Sequence, residues 1–341
     1  MTATHTIVLI PGDGIGPEVT AATRRVLEAA DAPLQFREHR AGLAALEAGE
    51  DVLPAPTLNA IREHKLALKG PCTTPVGKGF TSVNVQLRQQ LTLYAAFRPV
   101  RSLPGVPTRF DNVDLVIVRE NTEGLYSGVE NEIVPGLITT LKITTEKAST
   151  RIARRAFEYA RRRGRKRVTV FHKANIMKLA DGRFLDCVQR VHDEGFTDIT
   201  YDTMIIDAGC MRLVQAPETF DVLVMENFYG DVVSDLAAGL VGGLGVVPGA
   251  NIGDDCAVFE AVHGSAPDIA GKGLANPLAL IMSAVMLLNH IHERQGDEAC
   301  KAAARRIRHA YDTALAAGQK TRDIGGDLGT DAFADAIIQR L

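Results

Sequence analysis

The sequence predicts an α/β sandwich, and three observations carry that class. Short β-branched runs alternate with helical apolar faces along most of the chain. The chain opens on a strand, a glycine-rich turn and a helix, a common start for an α/β fold. At 341 residues it is long enough for two domains, or for one large unit with a lobe. No Ser/Pro-rich linker and no internal repeat interrupts it, so two domains would share a close interface.

Thr6–Ile10 reads as a strand, and the helical pattern after Pro17 runs to about Ala30. Leu115–Val118 has the continuous apolar character of a buried strand. Ile152, Ala153, Ala156, Phe157 and Ala160 then mark one face of a helix. Val168–Phe171 is a strand, Phe184, Val188 and Val191 lie on a helix, and Ile199–Ile206 is strand-like again. Val222–Met225 is a short strand leading through Asn227-Phe-Tyr-Gly into a helix expected to begin near Asp231.

The opening turn, Pro11-Gly-Asp-Gly-Ile-Gly-Pro17, tests for a Rossmann fingerprint and fails. The third glycine of that pattern would fall on Pro17, and no acidic residue stands well placed some twenty positions on. A structural turn at a strand end is the plainer account.

Composition narrows the function. A formal net charge of −3 gives no global drive toward nucleic acid or an anionic membrane. Arg151–Arg167 holds nine basic residues against Glu158 alone, but without interleaved aromatics it reads as the solvated face of a helix. The longest apolar stretch, Leu278–Leu288, is too short to span a bilayer. Cys72, Cys187, Cys210, Cys256 and Cys300 are scattered, which suits free thiols in a reducing compartment better than disulfides or a zinc site. The amino end lacks a basic or Arg-rich amphipathic leader, so a cytoplasmic protein is expected.

Two groups of residues suggest chemistry. Asp231 and Asp235, four apart on one helix face, can act with Asp207, read as ending a strand, as hard-oxygen ligands for Mg²⁺ or Mn²⁺. Complementing a helix dipole is the plainer account of the pair. Arg88, Arg98 and Arg119 offer guanidinium forks for a di- or tricarboxylate, and structural ion pairs are the alternative. Lys173, just past a strand, can lose its proton if desolvated or near a metal, and Tyr126 can donate one.

Taken together these stretches resemble the β-decarboxylating dehydrogenases, the isocitrate/isopropylmalate dehydrogenase family. The resemblance runs from Ile10-Pro-Gly-Asp-Gly-Ile-Gly16 to Asp323-Ile-Gly-Gly-Asp327. It is carried by Arg119-Glu-Asn-Thr-Glu-Gly124, His172-Lys-Ala-Asn-Ile-Met-Lys178, Gly230-Asp-Val-Val-Ser-Asp235 and His263-Gly-Ser-Ala-Pro-Asp-Ile-Ala-Gly271. It implies a non-Rossmann α/β sandwich of two domains flanking a cleft. Residues 1–96 and 242–341 would form a large nucleotide-binding domain, and 97–241 a small domain for substrate, metal and dimer contact.

The resemblance further implies a homodimer with shared active sites. Asp231 and Asp235 would bind the metal with Asp207 of the other subunit, and Lys173 would enter the partner's site. Arg88, Arg98 and Arg119 would hold substrate carboxylates. Lys173, through a proton relay, would accept the hydroxyl proton as hydride passes to NAD, and Tyr126 would protonate the enol left by loss of CO₂. Thr73 and Thr74 would lie at the nicotinamide end with Asn175 of the neighbouring subunit. Glu260, His263, Gly264, Ala266, Asp268, Ile269 and Asn276 would surround the nucleotide. Asp268 and Ile269 stand where NADP-using relatives carry lysine and tyrosine, so NAD is expected. Ser82 and Asn84, polar where isopropylmalate enzymes are apolar and leucine-rich, favour isocitrate; capping the next helix is their plainer role. Homoisocitrate, 3-isopropylmalate and tartrate are the alternatives within the family, and a non-catalytic regulatory subunit is the alternative of another class.

Overall fold

The structure, a computed structural model, describes residues 4–75 and 79–341. The chain folds into two compact units. One comprises Met1–Thr92, Ser102–Arg109 and Val241–Leu341, the other Leu93–Arg101 and Phe110–Leu240.

The first unit starts with β1 (His5–Ile10), α1 (Gly16–Ala29), β2 (Leu34–Glu38), α2 (Leu43–Glu47), α3 (Ala55–His64), β3 (Leu66–Lys69) and α4 (Val83–Gln90). Ile7, Val8, Leu9 and Ile10 are buried, as a strand with parallel neighbours on both sides requires. Pro17 stands in the first turn of α1, where a missing N–H removes no helical bond.

The second unit contains β4 (Ala95–Arg101), β5 (Asp114–Glu120), β6 (Glu130–Val134), β7 (Leu137–Thr140), α5 (Glu146–Arg162), β8 (Arg167–His172), α6 (Ala180–Gly195), β9 (Thr200–Ile205), α7 (Ile206–Gln215), β10 (Val222–Met225) and α8 (Asn227–Leu240). Its strands run in the order β4-β5-β10-β8-β9, with β4–β5 antiparallel and the other pairs parallel. β6 and β7 pair with each other as an antiparallel ribbon, with every residue of β6 exposed.

The basic stretch lies on and just beyond α5. Thr145 caps this helix by accepting from the Ala148 amide, and Ile152, Ala153, Ala156, Phe157 and Ala160 are fully buried beneath it. Its arginines have partners within the unit: Arg161 with Asp198, Arg165 with Asp114 and Asp221, and Arg155 with the Tyr94 hydroxyl.

The chain then returns to the first unit through β11 (Pro248–Ile252), β12 (Ala257–Ala261), α9 (Leu278–Gln295), α10 (Glu298–Ala316) and α11 (Thr330–Ile338). The strand order here is β2-β1-β3-β12-β11, and only β11–β12 is antiparallel. α9, the apolar stretch of the sequence, is a core helix, and its buried Ser283 hydroxyl bonds to Ala279, Glu260 and Gly249 backbone groups. Among the described residues no helix is long and apolar enough to cross a membrane.

Candidate active site

The second unit gathers two arginines from β4 and β5, a tyrosine from the turn after β5, and two aspartates from α8. Arg119 stands opposite Ala96 in the β4–β5 register, and Arg98 lies two residues from Ala96, so both guanidiniums leave the same face. Arg119 is 1 % exposed. Its Nε and Nη2 both donate to Asn227 Oδ1, at 3.0 and 2.7 Å, and Nη1 donates to Asp231 Oδ1. Those partners offset the cost of burying the charge. Gly230 makes the packing possible, because a Cβ there would come within 2.4 Å of Arg119 Cγ.

α8 starts at Asn227, a full turn earlier than the sequence suggested, because the Asn-Phe-Tyr-Gly stretch is already helical. Asn227, Asp231 and Asp235 therefore form one stripe at a spacing of four, and Asp231 lies beyond the first turn. The helix-dipole account of the aspartate pair falls with that shift. Tyr126 donates its hydroxyl to Asp231 Oδ2, and its ring lies under the Arg119 guanidinium at 5.0 Å. Burial first, and then the Asp231 carboxylate, push the Tyr126 phenol above its ordinary value, so it stays protonated at neutral pH. Partial burial and the neighbouring Asp231 raise the Asp235 carboxyl, while Arg98 and Arg119 pull it down. Two crowded carboxylates of this kind suit a hard divalent cation.

Asp207 does not end a strand. It stands in the first turn of α7, one residue after β9 gives way to helix. Its carboxylate pairs with Lys173 Nζ, and that hydrogen bond holds it below the ordinary carboxylate range. Lys173 follows β8, with its backbone N–H fixed on Asp181 Oδ2 at 2.6 Å. Asn175 lies exposed in the next turn, near Ile176 and Leu179, which are 69 % and 90 % exposed.

In the first unit, α4 carries Ser82, Asn84 and Arg88. Ser82 occupies the N-cap position without making a side-chain cap bond; its Oγ accepts instead from the Thr74 hydroxyl at 3.2 Å. Asn84 and Arg88 are one turn apart on one face, and Asn84 Oδ1 is buried with no hydrogen-bond partner among the described residues. Arg88 Nη2 lies 3.6 Å from Glu260. Glu260 is 2 % exposed, with Lys69 at 2.8 Å and the Asn251 amide at 2.6 Å on its carboxylate.

The segment after β12 carries His263, Gly264, Ala266, Asp268, Ile269 and Asn276, and the loop after β3 carries Thr73. His263 Nδ1 meets the Gly264 carbonyl at 3.0 Å, and its Nε2 is buried with no partner among the described residues. Burial lowers this imidazole below its ordinary value. An orphaned ring nitrogen fits contact with a polar ligand such as a nucleotide. Gly264, Ala266 and Asp268 are exposed and Ile269 half-buried. Asn276 is held at both ends, its amide on Asp323 at 3.0 Å and its oxygen accepting from the Leu278 amide. Thr73 receives its orientation from Asp13, which accepts its N–H at 2.8 Å, and from a 2.6 Å bond to the Ser265 hydroxyl.

Sequence reasoning passed over Asn227, Asp181 and Asp13. Asn227 was detectable as the residue one turn before Asp231, had the helix been started earlier. Asp181 and Asp13 act on backbone N–H groups, a role with no sequence signature.

The isocitrate/isopropylmalate dehydrogenase family model matches residues 6–337. The chain is 48 % identical over 342 residues to the mitochondrial catalytic subunit 5 of NAD isocitrate dehydrogenase from Arabidopsis thaliana, covering 100 % of this chain and 89 % of that protein. It is 51 % identical over 284 residues to the chloroplastic 3-isopropylmalate dehydrogenase of Solanum tuberosum, covering 83 % and 79 %. The crystal structure of isocitrate dehydrogenase from Methylococcus capsulatus superposes with a TM-score of 0.93 at 50 % identity, covering 99 % of each chain. The expectation of a cytoplasmic protein is corrected by these relatives, since the NAD-dependent ones are mitochondrial proteins. The composition of the amino end does not decide the compartment. With its motifs in order, its α/β architecture matched and the family model spanning nearly its whole length, the chain belongs to the isocitrate/isopropylmalate dehydrogenase family.

Proposed function

We propose that this protein is the catalytic enzyme of NAD-dependent oxidative decarboxylation of isocitrate to 2-oxoglutarate and CO₂. The observation that carries the choice of acid is α4, which has Ser82 at its N-cap and the half-buried Asn84 one turn ahead of Arg88. A hydroxyl and an amide satisfy a carboxylate arm, whereas an isopropyl group leaves them unpaired at about 1–3 kcal/mol each. The full-length relatives named as NAD isocitrate dehydrogenases support the same reading. 3-Isopropylmalate is the alternative, to which the name of the Solanum relative points. A regulatory subunit is disfavoured because Arg88, Arg98, Arg119, Tyr126, Lys173, Asp207, Asp231 and Asp235 are all present.

In this reading Asp231 and Asp235, with Asp207 from a second subunit, would hold Mg²⁺ or Mn²⁺, which would supply Lewis acidity, and NAD⁺ would be the hydride acceptor. Arg88, Arg98 and Arg119 bind substrate carboxylates. Lys173, coming from the second subunit, takes the hydroxyl proton through a relay. Tyr126 retains its proton until a strongly basic enolate forms, then delivers it. The first unit is assigned the nucleotide, through Thr73, Thr74, Glu260, His263, Gly264, Ala266, Asp268, Ile269 and Asn276, with Asn175 added from the second subunit. The second unit is assigned metal, substrate and subunit contact.

The exposed apolar side chains of the second unit support a subunit interface. Ile133 and Ile138 on the ribbon are 61 % and 66 % exposed, and Met211, Phe228 and Val232 on α7 and α8 are 56 %, 45 % and 53 % exposed. A homodimer is proposed; the relatives named as catalytic or alpha subunits favour a heteromer as the alternative. Sedimentation of the protein purified alone separates the two.

The deciding assay is turnover of isocitrate, homoisocitrate, 3-isopropylmalate and tartrate at equal low concentration, with NAD⁺ and NADP⁺ in turn. Isocitrate with NAD⁺ should be fastest. Faster turnover of 3-isopropylmalate or homoisocitrate overturns the assignment.

A further inference from the structure

The glycine-rich turn that fails as a Rossmann fingerprint has a different task. Three of its backbone N–H groups, which a phosphate cradle would need free, are already donated: Asp13 to the Pro71 carbonyl at 2.7 Å, Ile15 to the Ser265 carbonyl at 2.9 Å, and Gly16 to the Asp13 carbonyl at 2.8 Å. Its glycines mark close backbone approach. A Cβ at Gly12 would come within 2.1 Å of the Pro71 carbonyl oxygen, and one at Gly14 within 2.1 Å of that of Ser265. The turn thus grips two other loops, 70–74 and 263–266, by their main chains.

Asp13 sits at the centre of this knot, 5 % exposed. Its Oδ2 accepts the Thr73 N–H at 2.8 Å, and its Oδ1 accepts the Ala44 N–H at 3.2 Å. The two loops are also joined directly, Thr73 Oγ1 to Ser265 Oγ at 2.6 Å. The loops so joined carry Thr73, Thr74, His263, Gly264 and Ala266, the side chains and main chain assigned above to NAD. Ala266 adds a sign of constraint, with φ at +37°, a conformation that a non-glycine residue adopts only when its surroundings impose it.

We propose that Asp13 is a positioning residue for the dinucleotide: by bonding the Thr73 amide it sets the 70–74 loop against the 263–266 loop in the spacing that NAD⁺ requires. The inference rests on the NAD reading above. A carboxylate is the right group because it accepts on both oxygens, whereas an asparagine in its place must turn a donor toward one of the two amides. The residue touches no reacting atom and acts through Thr73.

The test is Asp13→Asn, with Gly42→Ala as an independent second variant. Gly42 stands on a different loop, yet a Cβ there, at φ +79°, would come within 2.3 Å of Asp13 Oδ2 and displace the same carboxylate. Calorimetric titration should show NAD⁺ binding weakened by about tenfold or more in both variants. The KM for NAD⁺ should rise in parallel, with kcat within roughly twofold of wild type. Mn²⁺–isocitrate binding should be unchanged in the absence of NAD⁺, an outcome that general loosening of the fold would not give. NAD⁺ affinity within twofold of wild type in either folded variant overturns the proposal. Should Asp13→Asn not yield folded protein, Gly42→Ala decides. Failure of the wild-type protein to bind NAD⁺ would instead remove the dinucleotide reading itself, and the inference with it.

Discussion

The Thr74 hydroxyl donates to Ser82 Oγ at 3.2 Å, so a residue assigned to the cofactor is bonded to one assigned to the substrate. Ser82 heads α4 but gives its oxygen to no amide of that helix. Removing the hydroxyl therefore costs little helix stability and mainly changes what the side chain can recognise. Ser82→Leu should lower kcat/KM for isocitrate by roughly ten- to hundredfold, the value of a lost hydrogen bond to a charged group. Calorimetric NAD⁺ affinity should move much less. An equal loss in both would assign Ser82 to the loop's folding instead of to the acid.

Shared sites have a genetic signature. Lys173→Met and Asp231→Asn homodimers should each lose nearly all activity. Mixed dimers, isolated by differential tags, should recover one site per dimer, since one of the two then contains neither mutation. No recovery in verified mixed dimers would place Lys173 and Asp231 in the same chain's site.

In the proposed reading cofactor choice turns on Asp268, an exposed residue whose backbone carbonyl accepts from Lys272 at 2.6 Å. Its carboxylate can accept from ribose hydroxyls and repels a 2′-phosphate. Asp268→Lys with Ile269→Tyr should shift the ratio of kcat/KM values toward NADP⁺ by about tenfold or more. Wild-type enzyme that prefers NADP⁺ would sink this assignment.

His263 gives a pH test. Burial holds its imidazole below the ordinary value, so the folded protein keeps it neutral where the unfolded chain would protonate it. Its contribution to stability is then present above the ordinary value, about 6.5, and is lost as pH falls below it. NAD⁺ affinity should stay flat from pH 8 to about 6.5, because no charge appears at His263 in that range. A rise in affinity toward pH 6.5 that is absent in His263→Gln would mean that a protonated imidazole binds the phosphates.

The α/β class was legible because β5 and β8 carry short β-rich central runs, β10 is apolar throughout, and α5 repeats its apolar residues every three or four positions. The start of α8 was not, since Asn-Phe-Tyr-Gly has turn composition, yet the stretch is helical, with Gly230 closely packed on Arg119. Asp207 was placed on a strand because the Ile205-Ile206 pair extends the β pattern, while the backbone turns helical at Ile206. Among the candidate site residues, those named for charge were visible in pattern. Those that work by accepting a backbone N–H, Asp13 and Asp181, depend on which loops meet in space, and one sequence does not carry that.

The chain enters the first unit, leaves it for the second, and returns. β3 lies between β1 and β12, and its Leu66 pairs with Ala257, roughly two hundred residues later, a separation that makes closure of this sheet slow. During synthesis, β1, β2 and β3 emerge with one edge of β3 unpaired, and that edge waits until the whole second unit has been made before β12 arrives. The second unit draws nearly all its sheet from one continuous stretch and can condense in the meantime. The loops assigned to the nucleotide, which follow β1, β3 and β12, cannot come together before β12 has been made, and an unpaired β3 edge is the interval's hazard.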